Sequence, residues 1–315
     1  MRIHRILFLL AGLCLLAPLS CKKDETETTT KPSLSGSWFT LPVFGRVGQT
    51  FNLEQKGVIY TSDGTEPGEL TTTWIVNNDT LKTTAFTPSE TGIYSVKCSV
   101  SAEGYYSDVT SKSLRIIDPS FEKTVTNTGI SASDPSIKDT RETIAGENRY
   151  YYTTLGETKW FRNNLAYTGS GFAYEESDVT SYPLGRYYTW EEAQSACPEG
   201  WRLPTLEEFE GLGNTAGDLM ADAFMEGDRL WEFWPDVNIT NKLRFSAIPS
   251  GYAICGEGTS PAFFGWSNYA CFWTSTSNPD DQSQAFYRYL FVEDTDVKTT
   301  SGDKSSLALS VRCVQ

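Results

Sequence analysis

The chain has 315 residues, and its 26 lysines and arginines stand against 40 aspartates and glutamates, a formal net charge of −14. An acidic surface repels phosphate backbones, so nucleic acid is excluded as an expected partner. The one histidine is His4, inside a predicted leader, so the mature chain lacks an imidazole for a Ser–His pair, a Cys–His pair or a zinc site. We therefore predict no catalytic residue, no metal site and no cofactor, and the length predicts two domains.

Residues 1–20 are predicted to be an export signal. Arg2 and Arg5 precede the apolar run ILFLLAGLCLLAPL, and Ser20 stands directly before Cys21. Such a run is too short to cross a bilayer as a helix. The sequence LAPLSC resembles the lipobox of bacterial lipoproteins, which implies cleavage before Cys21 and attachment of lipid to it. A simple secretory signal that leaves Cys21 free is the alternative.

Residues 21–33 are predicted to be a polar tether, because they carry almost no apolar side chains. Their beginning, CKKDETETTTK, is similar to the lysine-then-acidic signal of Bacteroidetes lipoproteins that reach the outer face of the outer membrane. The resemblance implies a protein that is anchored in the outer membrane through Cys21 and faces the cell exterior.

Residues 34–119 are predicted to form a β-sandwich. Short β runs alternate with Gly, Pro, Asn and Asp clusters, and IYSVKCSVSA places Val96, Cys98 and Val100 on one strand face. With no partner cysteine nearby, Cys98 is expected to be a buried free thiol. Trp74 and the TGIY entry to this strand resemble immunoglobulin-like domains of the polycystic-kidney-disease type. The resemblance implies a spacer domain, and we assign it no chemistry.

Residues 120–148 are polar and have no hydrophobic period, which predicts either a linker or an adaptable first strand. From residue 149 onward the pattern becomes more regular. The run YYYTTLGETKWF predicts an antiparallel hairpin that turns at Gly156.

Two capping boxes predict two helix starts. Thr189 precedes Glu192 by three residues, and Thr205 precedes Glu208 by three residues, each just before apolar positions at helical spacing. These glutamates are therefore interpreted as helix-capping groups rather than as catalytic acids. Arg202 lies between the two helices, and the sequence pattern predicts no ion-pair partner for it.

The C-terminal half of the chain contains six sequence blocks in a fixed order, namely YYYTTLGETKWFRNNLAY, GRYYTWEEAQSACPEGWRLPTLEEFEGL, FSAIPSGYA, ACFWTSTS, AFYRYLF and LSVRCV. Together they resemble one bacterial family, the Fibrobacter succinogenes major paralogous domain. The resemblance covers residues 149–315 and implies an α+β, C-type-lectin-like fold with a disulfide between Cys197 and Cys313, a pairing that an exported chain can keep. Cys255 and Cys271 are interpreted either as a second disulfide or as two free thiols.

Two functions of related folds receive little support from the residues. The ending SVRC resembles that of formylglycine-generating oxidases, but no copper-binding cysteine pair can be placed, so this oxidase is the least favoured alternative. Calcium needs about six to eight oxygen ligands, and Asn278-Pro279-Asp280 lies outside the usual lectin position. We interpret it as a solvated turn and predict a metal-independent binding surface.

Aromatic residues between the family blocks are the ligand-binding candidates, because sugar C–H faces stack on aromatic rings. We select Trp231, Trp266 and Tyr269, with burial in the core as the alternative for each. The sequence thus predicts an immunoglobulin-like β-sandwich followed by an α+β C-type-lectin-like domain. The predicted function is a non-catalytic surface lipoprotein that binds an extracellular glycan or surface protein. A structural or tip subunit of a fimbria-like assembly is the alternative.

Overall fold

A computed structural model describes residues 30–141, 148–232 and 237–315. The predicted export signal, the anchor Cys21 and most of the predicted tether lie outside these ranges. Among the residues described, no helix is both long enough and apolar enough to span a membrane. The fold is mostly β, with several sheets and short helices.

The N-terminal region, residues 30–119, contains one five-stranded sheet and two short strand pairs. Its strands are β1 (Leu34–Ser35), β2 (Phe44–Arg46), β3 (Phe51–Asn52), β4 (Tyr60–Thr61), β5 (Thr71–Val76), β6 (Asp79–Thr80), β7 (Ala85–Phe86), β8 (Gly92–Ser101) and β9 (Asp108–Ile117). The sheet order is β2-β9-β8-β5-β6, with β2 parallel to β9 and the other neighbours antiparallel. β1 pairs with β4, and β3 pairs with β7.

The core of the N-terminal region follows the alternation of β8. Val96, Cys98 and Val100 are all buried, and they pack in one cluster with Trp74. The Trp74 ring meets Phe39 edge to face at 5.1 Å between centroids. Cys98 is a free buried thiol, as predicted. Several small sheets around an apolar interior are consistent with a β-sandwich.

The described residues of the C-terminal region, residues 120–315, form short helices and four small sheets. Its helices are α1 (Phe121–Thr124), α2 (Ser181–Leu184), α3 (Trp190–Ala196), α4 (Leu206–Glu210) and α5 (Ala216–Leu219), with 3₁₀ turns at Tyr174–Glu176 and Asp178–Thr180. Its strands are β10 (Val125–Thr126), β11 (Ser136–Asp139), β12 (Asn148–Leu155), β13 (Thr158–Phe161), β14 (Tyr188–Thr189), β15 (Phe224–Met225), β16 (Asp228–Arg229), β17 (Tyr252–Ile254), β18 (Ala262–Phe264), β19 (Tyr269–Ser277), β20 (Gln284–Phe291), β21 (Lys298–Asp303) and β22 (Leu307–Leu309).

The four sheets have the orders β10-β15-β16, β11-β12-β13, β14-β22-β17-β18 and β19-β20-β21. The predicted hairpin is present, because β12 and β13 are antiparallel and turn at Gly156. Part of the predicted linker is ordered and paired within this region: β10 pairs with β15, and β11 pairs with β12 as a first strand. This segment has few apolar residues, but two of them, Phe121 and Val125, are buried in the C-terminal core. Their burial explains why the segment packs against this region.

Helices α3 and α4 begin where the capping boxes predict. Thr189 and Thr205 each accept a bond from the backbone N–H three residues later, and Glu192 and Glu208 reach back reciprocally. Arg202 pairs with Glu208, its Nη1 lying 2.8 Å from Oε2. This pairing lowers the pKa of Glu208 to about 2.

The predicted disulfide between Cys197 and Cys313 is present. It joins the end of α3 to Cys313, and the two positions are 116 residues apart in the sequence. The bond therefore closes a loop that contains most of the C-terminal region.

The two regions meet in a common core. Phe44 and Ile117, from the N-terminal region, are buried in the same apolar cluster as Phe121 and Val125. The Ser177 hydroxyl donates to the Phe44 carbonyl at 2.9 Å across this junction. Buried apolar and polar contacts of this kind hold the two regions in one relative placement.

Candidate functional site

The first predicted ligand residue, Trp231, belongs to the core rather than to a binding surface. Its side chain is 1% exposed and lies in one cluster with Phe245, Phe272 and Leu290. Its indole Nε1 has no hydrogen-bond partner among the described residues. The chain folds back just after Trp231, since the next backbone N–H donates to the Ser267 carbonyl at 3.0 Å. The burial gives Trp231 a packing role, the alternative to the predicted ligand contact.

The other two predicted residues, Trp266 and Tyr269, lie at the two ends of one tight turn. The backbone N–H of Tyr269 donates to the Gly265 carbonyl at 2.9 Å. Gly265 has a φ of +69°, and a Cβ placed there would lie 2.7 Å from the Tyr269 ring. The turn therefore requires glycine at this position. Both aromatic side chains are half-buried.

Strand β18 directs the two ends of this turn to different surfaces. The Phe263 ring meets Tyr174 edge to face at 5.3 Å, and Tyr174 in turn stacks on Trp266. The neighbouring Phe264 ring stacks on Tyr252 at 5.7 Å, and Tyr252 contacts Tyr269. Since successive side chains of a strand point to opposite faces, Trp266 and Tyr269 serve separate surfaces.

Tyr269 lies in a continuous row of half-exposed rings that we call the aromatic strip. Neighbouring ring centroids along it are 4.5 to 6.2 Å apart. Phe264 is 47% exposed and the other members are partly buried. The members are Phe264, Tyr252, Tyr269, Phe291, Tyr289 and Tyr287.

The alternation of β20 creates most of this strip. Tyr287, Tyr289 and Phe291 occupy every second position and share one face, while the intervening Arg288 and Leu290 are buried on the other. The register with β19 places Tyr269 opposite Phe291, and their rings stack at 4.5 Å. Cross-strand aromatic pairs of this kind stabilise the sheet face that carries them.

The strip offers four tyrosine hydroxyl groups. Within the described ranges, the hydroxyls of Tyr252, Tyr269, Tyr287 and Tyr289 make no hydrogen bond to another residue. Burial raises the pKa of Tyr269 and of Tyr287. These two groups therefore remain protonated at physiological pH and can both donate and accept hydrogen bonds.

Trp266 faces a different feature, a cavity of about 370 Å³ between the two regions, which we call the junction cleft. Trp266 and Tyr174 stack there at 4.8 Å between centroids, and Phe44 meets the Tyr174 ring at 5.9 Å. Burial raises the pKa of Tyr174 to about 12, so its hydroxyl is neutral at physiological pH. The lining comprises Val43, Phe44, Arg115, Tyr174, Met225, Asp228, Arg229, Leu230, Trp266 and Ser267.

Charges of both signs border the junction cleft. Arg115 Nη2 lies 2.7 Å from Asp228 Oδ2, a pair that joins the N-terminal region to the C-terminal region. Arg229 Nε lies 2.5 Å from Asp222 Oδ1. Asp228 belongs to the lining and Asp222 lies outside it, but each offsets the charge of one arginine, so the lining has no strong preference for an anion or a cation.

Cys255 and Cys271 are free thiols, so the alternative of a second disulfide is wrong. Cys271 is buried in the main C-terminal cluster, while Cys255 packs against a separate cluster around Tyr187 and Ala308. Burial raises the pKa of both thiols, which keeps them protonated. Because the two cysteines pack in different clusters, they do not form the disulfide that their spacing in the sequence would permit.

The residues that were compared with calcium lectins and with oxidases contact other parts of this chain and stabilise its fold. Asn278 Oδ1 accepts from the Asp280 backbone N–H at 3.0 Å, which is a local turn. Arg312 is fully buried and donates to the Phe245 carbonyl at 2.7 Å and to the Ser246 carbonyl at 3.1 Å. Cys313 is in the disulfide. In the described ranges, no group of three or more His, Cys, Asp or Glu side chains is placed to hold a metal.

Several site residues are absent from the sequence predictions. Tyr287 and Tyr289 stand in AFYRYLF, whose alternation is a signal for one aromatic strand face. Tyr174, Phe44 and Arg115 carry no local signal, because they meet Trp266 only after distant segments pack together.

Two comparisons with known proteins bear on the chain. The family model described as Fibrobacter succinogenes major domain matches residues 137–315. This match includes both ends of the turn and the whole aromatic strip. A search of curated proteins returned no significant match.

Proposed function

On the premise that the chain belongs to the Fibrobacter succinogenes major domain family, we propose that it is a non-catalytic surface lipoprotein that recognises an extracellular glycan. In this proposal an immunoglobulin-like stalk carries a C-type-lectin-like C-terminal region, and lipid on Cys21 anchors the protein in the outer membrane. The contact surface is the aromatic strip. Loss of radiolabelled palmitate incorporation in Cys21→Ser, with incorporation in the unsubstituted chain, checks the anchor.

The aromatic strip is the observation that supports this function. Sugars present apolar C–H faces beside hydroxyl groups, and a strip of aromatic rings with hydroxyl groups complements both. Four tyrosine hydroxyls of the strip make no hydrogen bond to another described residue, so they are available to a ligand. The stacked Tyr269–Phe291 pair at 4.5 Å fixes part of the surface before a ligand arrives, which lowers the entropic cost of binding.

A protein partner is the second candidate, and the same composition favours it. Tyrosine gives a large and rigid contact area with little loss of side-chain entropy, so tyrosine-rich surfaces also recognise proteins. In that case the chain is a structural or tip subunit of a fimbria-like assembly, and the aromatic strip contacts a neighbouring subunit.

The decisive experiment compares Tyr289→Ala with Tyr106→Ala on a glycan array and in co-purification with surface fibres. Tyr289 belongs to the aromatic strip, whereas Tyr106 is 56% exposed on the N-terminal region and serves as the matched control. We expect Tyr289→Ala to weaken glycan binding by about tenfold or more, the size typical of an interface hot spot. Tyr106→Ala should bind as the unsubstituted protein does.

Two other results would change the conclusion. Silence on every array together with fibre co-purification that Tyr289→Ala abolishes selects the fimbrial function. Equal glycan binding by both variants removes the aromatic strip from the site.

A further inference from the structure

We infer that the junction cleft is a separate binding site for a neutral saccharide unit of one or two rings, and that the N-terminal region forms part of it. This inference does not depend on the aromatic strip, because Phe263 and Phe264 of β18 contact the two surfaces on opposite faces. It also gives the N-terminal region a role beyond that of a spacer.

The shape and apolar lining of the junction cleft suit a small ring. Its volume of about 370 Å³ lies at the lower end of the range of about 300 to 1,000 Å³ that is usual for small-molecule sites. The stacked rings of Trp266 and Tyr174 form an aromatic wall. Such a wall packs against the C–H face of a sugar.

Polar groups with unused hydrogen-bonding capacity complete the lining. Within the described ranges, the Tyr174 hydroxyl and the Trp266 Nε1 make no hydrogen bond to another residue. The ion pair between Arg115 and Asp228 uses Nη2 and Oδ2, which leaves Nη1 as a donor and Oδ1 as an acceptor. A sugar hydroxyl can accept from one and donate to the other.

The balance of charge selects the class of sugar. Arg115 and Arg229 are each within 2.7 Å of a carboxylate oxygen, from Asp228 and Asp222 respectively. An acidic sugar would meet Asp228 beside Arg115, and Asp222 behind the lining already offsets the charge of Arg229, so the sugar would gain little net attraction. A neutral polyol satisfies both kinds of group without desolvating a further charge, so neutral saccharides are the expected ligands.

The junction between the two regions keeps the cleft in place. Phe44 is 5% exposed and Ile117 is fully buried in the shared core, while Ser177 donates to the Phe44 carbonyl. The walls contributed by the two regions are therefore positioned before a ligand binds, which reduces the cost of ordering them.

The test uses the complete exported protein and saturation-transfer difference NMR. The probes are neutral monosaccharides and disaccharides, namely glucose, galactose, mannose, N-acetylglucosamine, maltose and lactose, with glucuronate as the acidic comparison. Arg115→Gln removes a guanidinium group from the N-terminal wall of the junction cleft and leaves the hydrophobic core unchanged. Arg46→Gln is the matched control, because Arg46 is an exposed arginine of the same region outside the cleft lining.

We expect at least one neutral saccharide to give a signal, and Arg115→Gln to weaken its affinity by about tenfold, the usual consequence of losing a hydrogen bond to a charged group. Trp266→Leu combined with Tyr289→Ala should abolish the signal that Tyr289→Ala alone retains, and Arg46→Gln should leave the signal unchanged. A saccharide signal that persists in Tyr289→Ala separates this site from the aromatic strip.

Three outcomes overturn the inference. The first is the absence of any saccharide signal with the unsubstituted protein. The second is an affinity that is the same in Arg115→Gln and Arg46→Gln, which removes the N-terminal region from the site. The third is stronger binding of glucuronate than of every neutral sugar, which contradicts the assigned class. A failure of glycan-array binding in Tyr289→Ala alone bears only on the aromatic strip.

Discussion

The aromatic strip and the junction cleft begin at the two ends of one turn, at Tyr269 and Trp266, and yet they are built differently. The aromatic strip belongs to the C-terminal region alone, and the register of β19 and β20 and the packing of β17 and β18 fix it. The junction cleft exists only where Phe44 of the N-terminal region meets Tyr174 and Arg115 meets Asp228. Residues three positions apart can thus depend on quite different parts of a fold. Damage to the shared scaffold should affect both surfaces, whereas damage to the junction should separate them.

The largest expected effect comes from the scaffold that both surfaces share. In the double variant Cys197→Ser with Cys313→Ser, the loop between positions 116 residues apart is no longer closed. The chain-entropy model gives a loss of about 4 to 5 kcal/mol in the free energy of unfolding. We expect urea unfolding to show this loss, and both binding activities to disappear together at the same urea concentration.

Cys255→Ser is the control for this disulfide variant. Cys255 is a free and partly buried thiol, so its replacement should cost far less. Separate loss of the two binding activities in the double variant would contradict the view that the disulfide stabilises one common scaffold.

A smaller effect should separate the two surfaces. Phe44→Ala removes a ring that is 5% exposed at the junction and contacts Tyr174. Truncating a buried phenylalanine costs about 3 to 5 kcal/mol, and the lower value is expected near a cavity. Titrations should show saccharide binding in the junction cleft lost and binding to the aromatic strip retained.

Phe51→Ala is the control for the loss of stability that truncation of a buried phenylalanine causes. Phe51 is also 5% exposed, but it packs inside the N-terminal region against Phe86. It should lower stability by a similar amount and leave both surfaces able to bind. If Phe44→Ala and Phe51→Ala weaken saccharide binding equally, the junction has no special role.

The sequence predicted the helix starts and the hairpin turn, because residues close together in the sequence determine these features. Thr189 and Thr205 form their capping boxes, and Gly156 turns the hairpin, because each device lies within a few residues of sequence. The pairing of Cys197 with Cys313 came from the family resemblance, since the two positions are far apart in the chain.

The features that were not predicted depend on long-range packing. Trp231 stands in an aromatic, acidic segment that looks like an exposed loop, but its ring is buried in one cluster with Phe245 and Phe272, which come from later segments. Arg202 has no partner until α4 brings Glu208 within 2.8 Å. The contribution of Arg115 to the junction cleft requires two regions to meet, and no pattern within either region reveals it.

The smallest expected effect concerns alkaline pH and tests how firmly the aromatic strip is packed. Burial is the main cause that raises the pKa of Tyr287 and of Tyr269 above the ordinary value of 10.0. The folded protein therefore keeps these protons at a pH where the unfolded chain releases them. The resulting stabilisation is complete below about pH 10 and is lost as the pH rises through the folded pKa.

Urea unfolding between pH 9 and pH 11 should thus show stability that falls above pH 10, and a shallower fall in Tyr287→Phe. Tyr106→Phe is the control for removing an exposed hydroxyl outside both surfaces. The same comparison applies to Tyr174→Phe in the junction cleft, because burial raises the pKa of Tyr174 to about 12. A slope that Tyr287→Phe leaves unchanged would mean that water reaches the strip hydroxyl freely. The rings would then lack the fixed packing on which binding by the aromatic strip depends, even if the junction cleft retained its own.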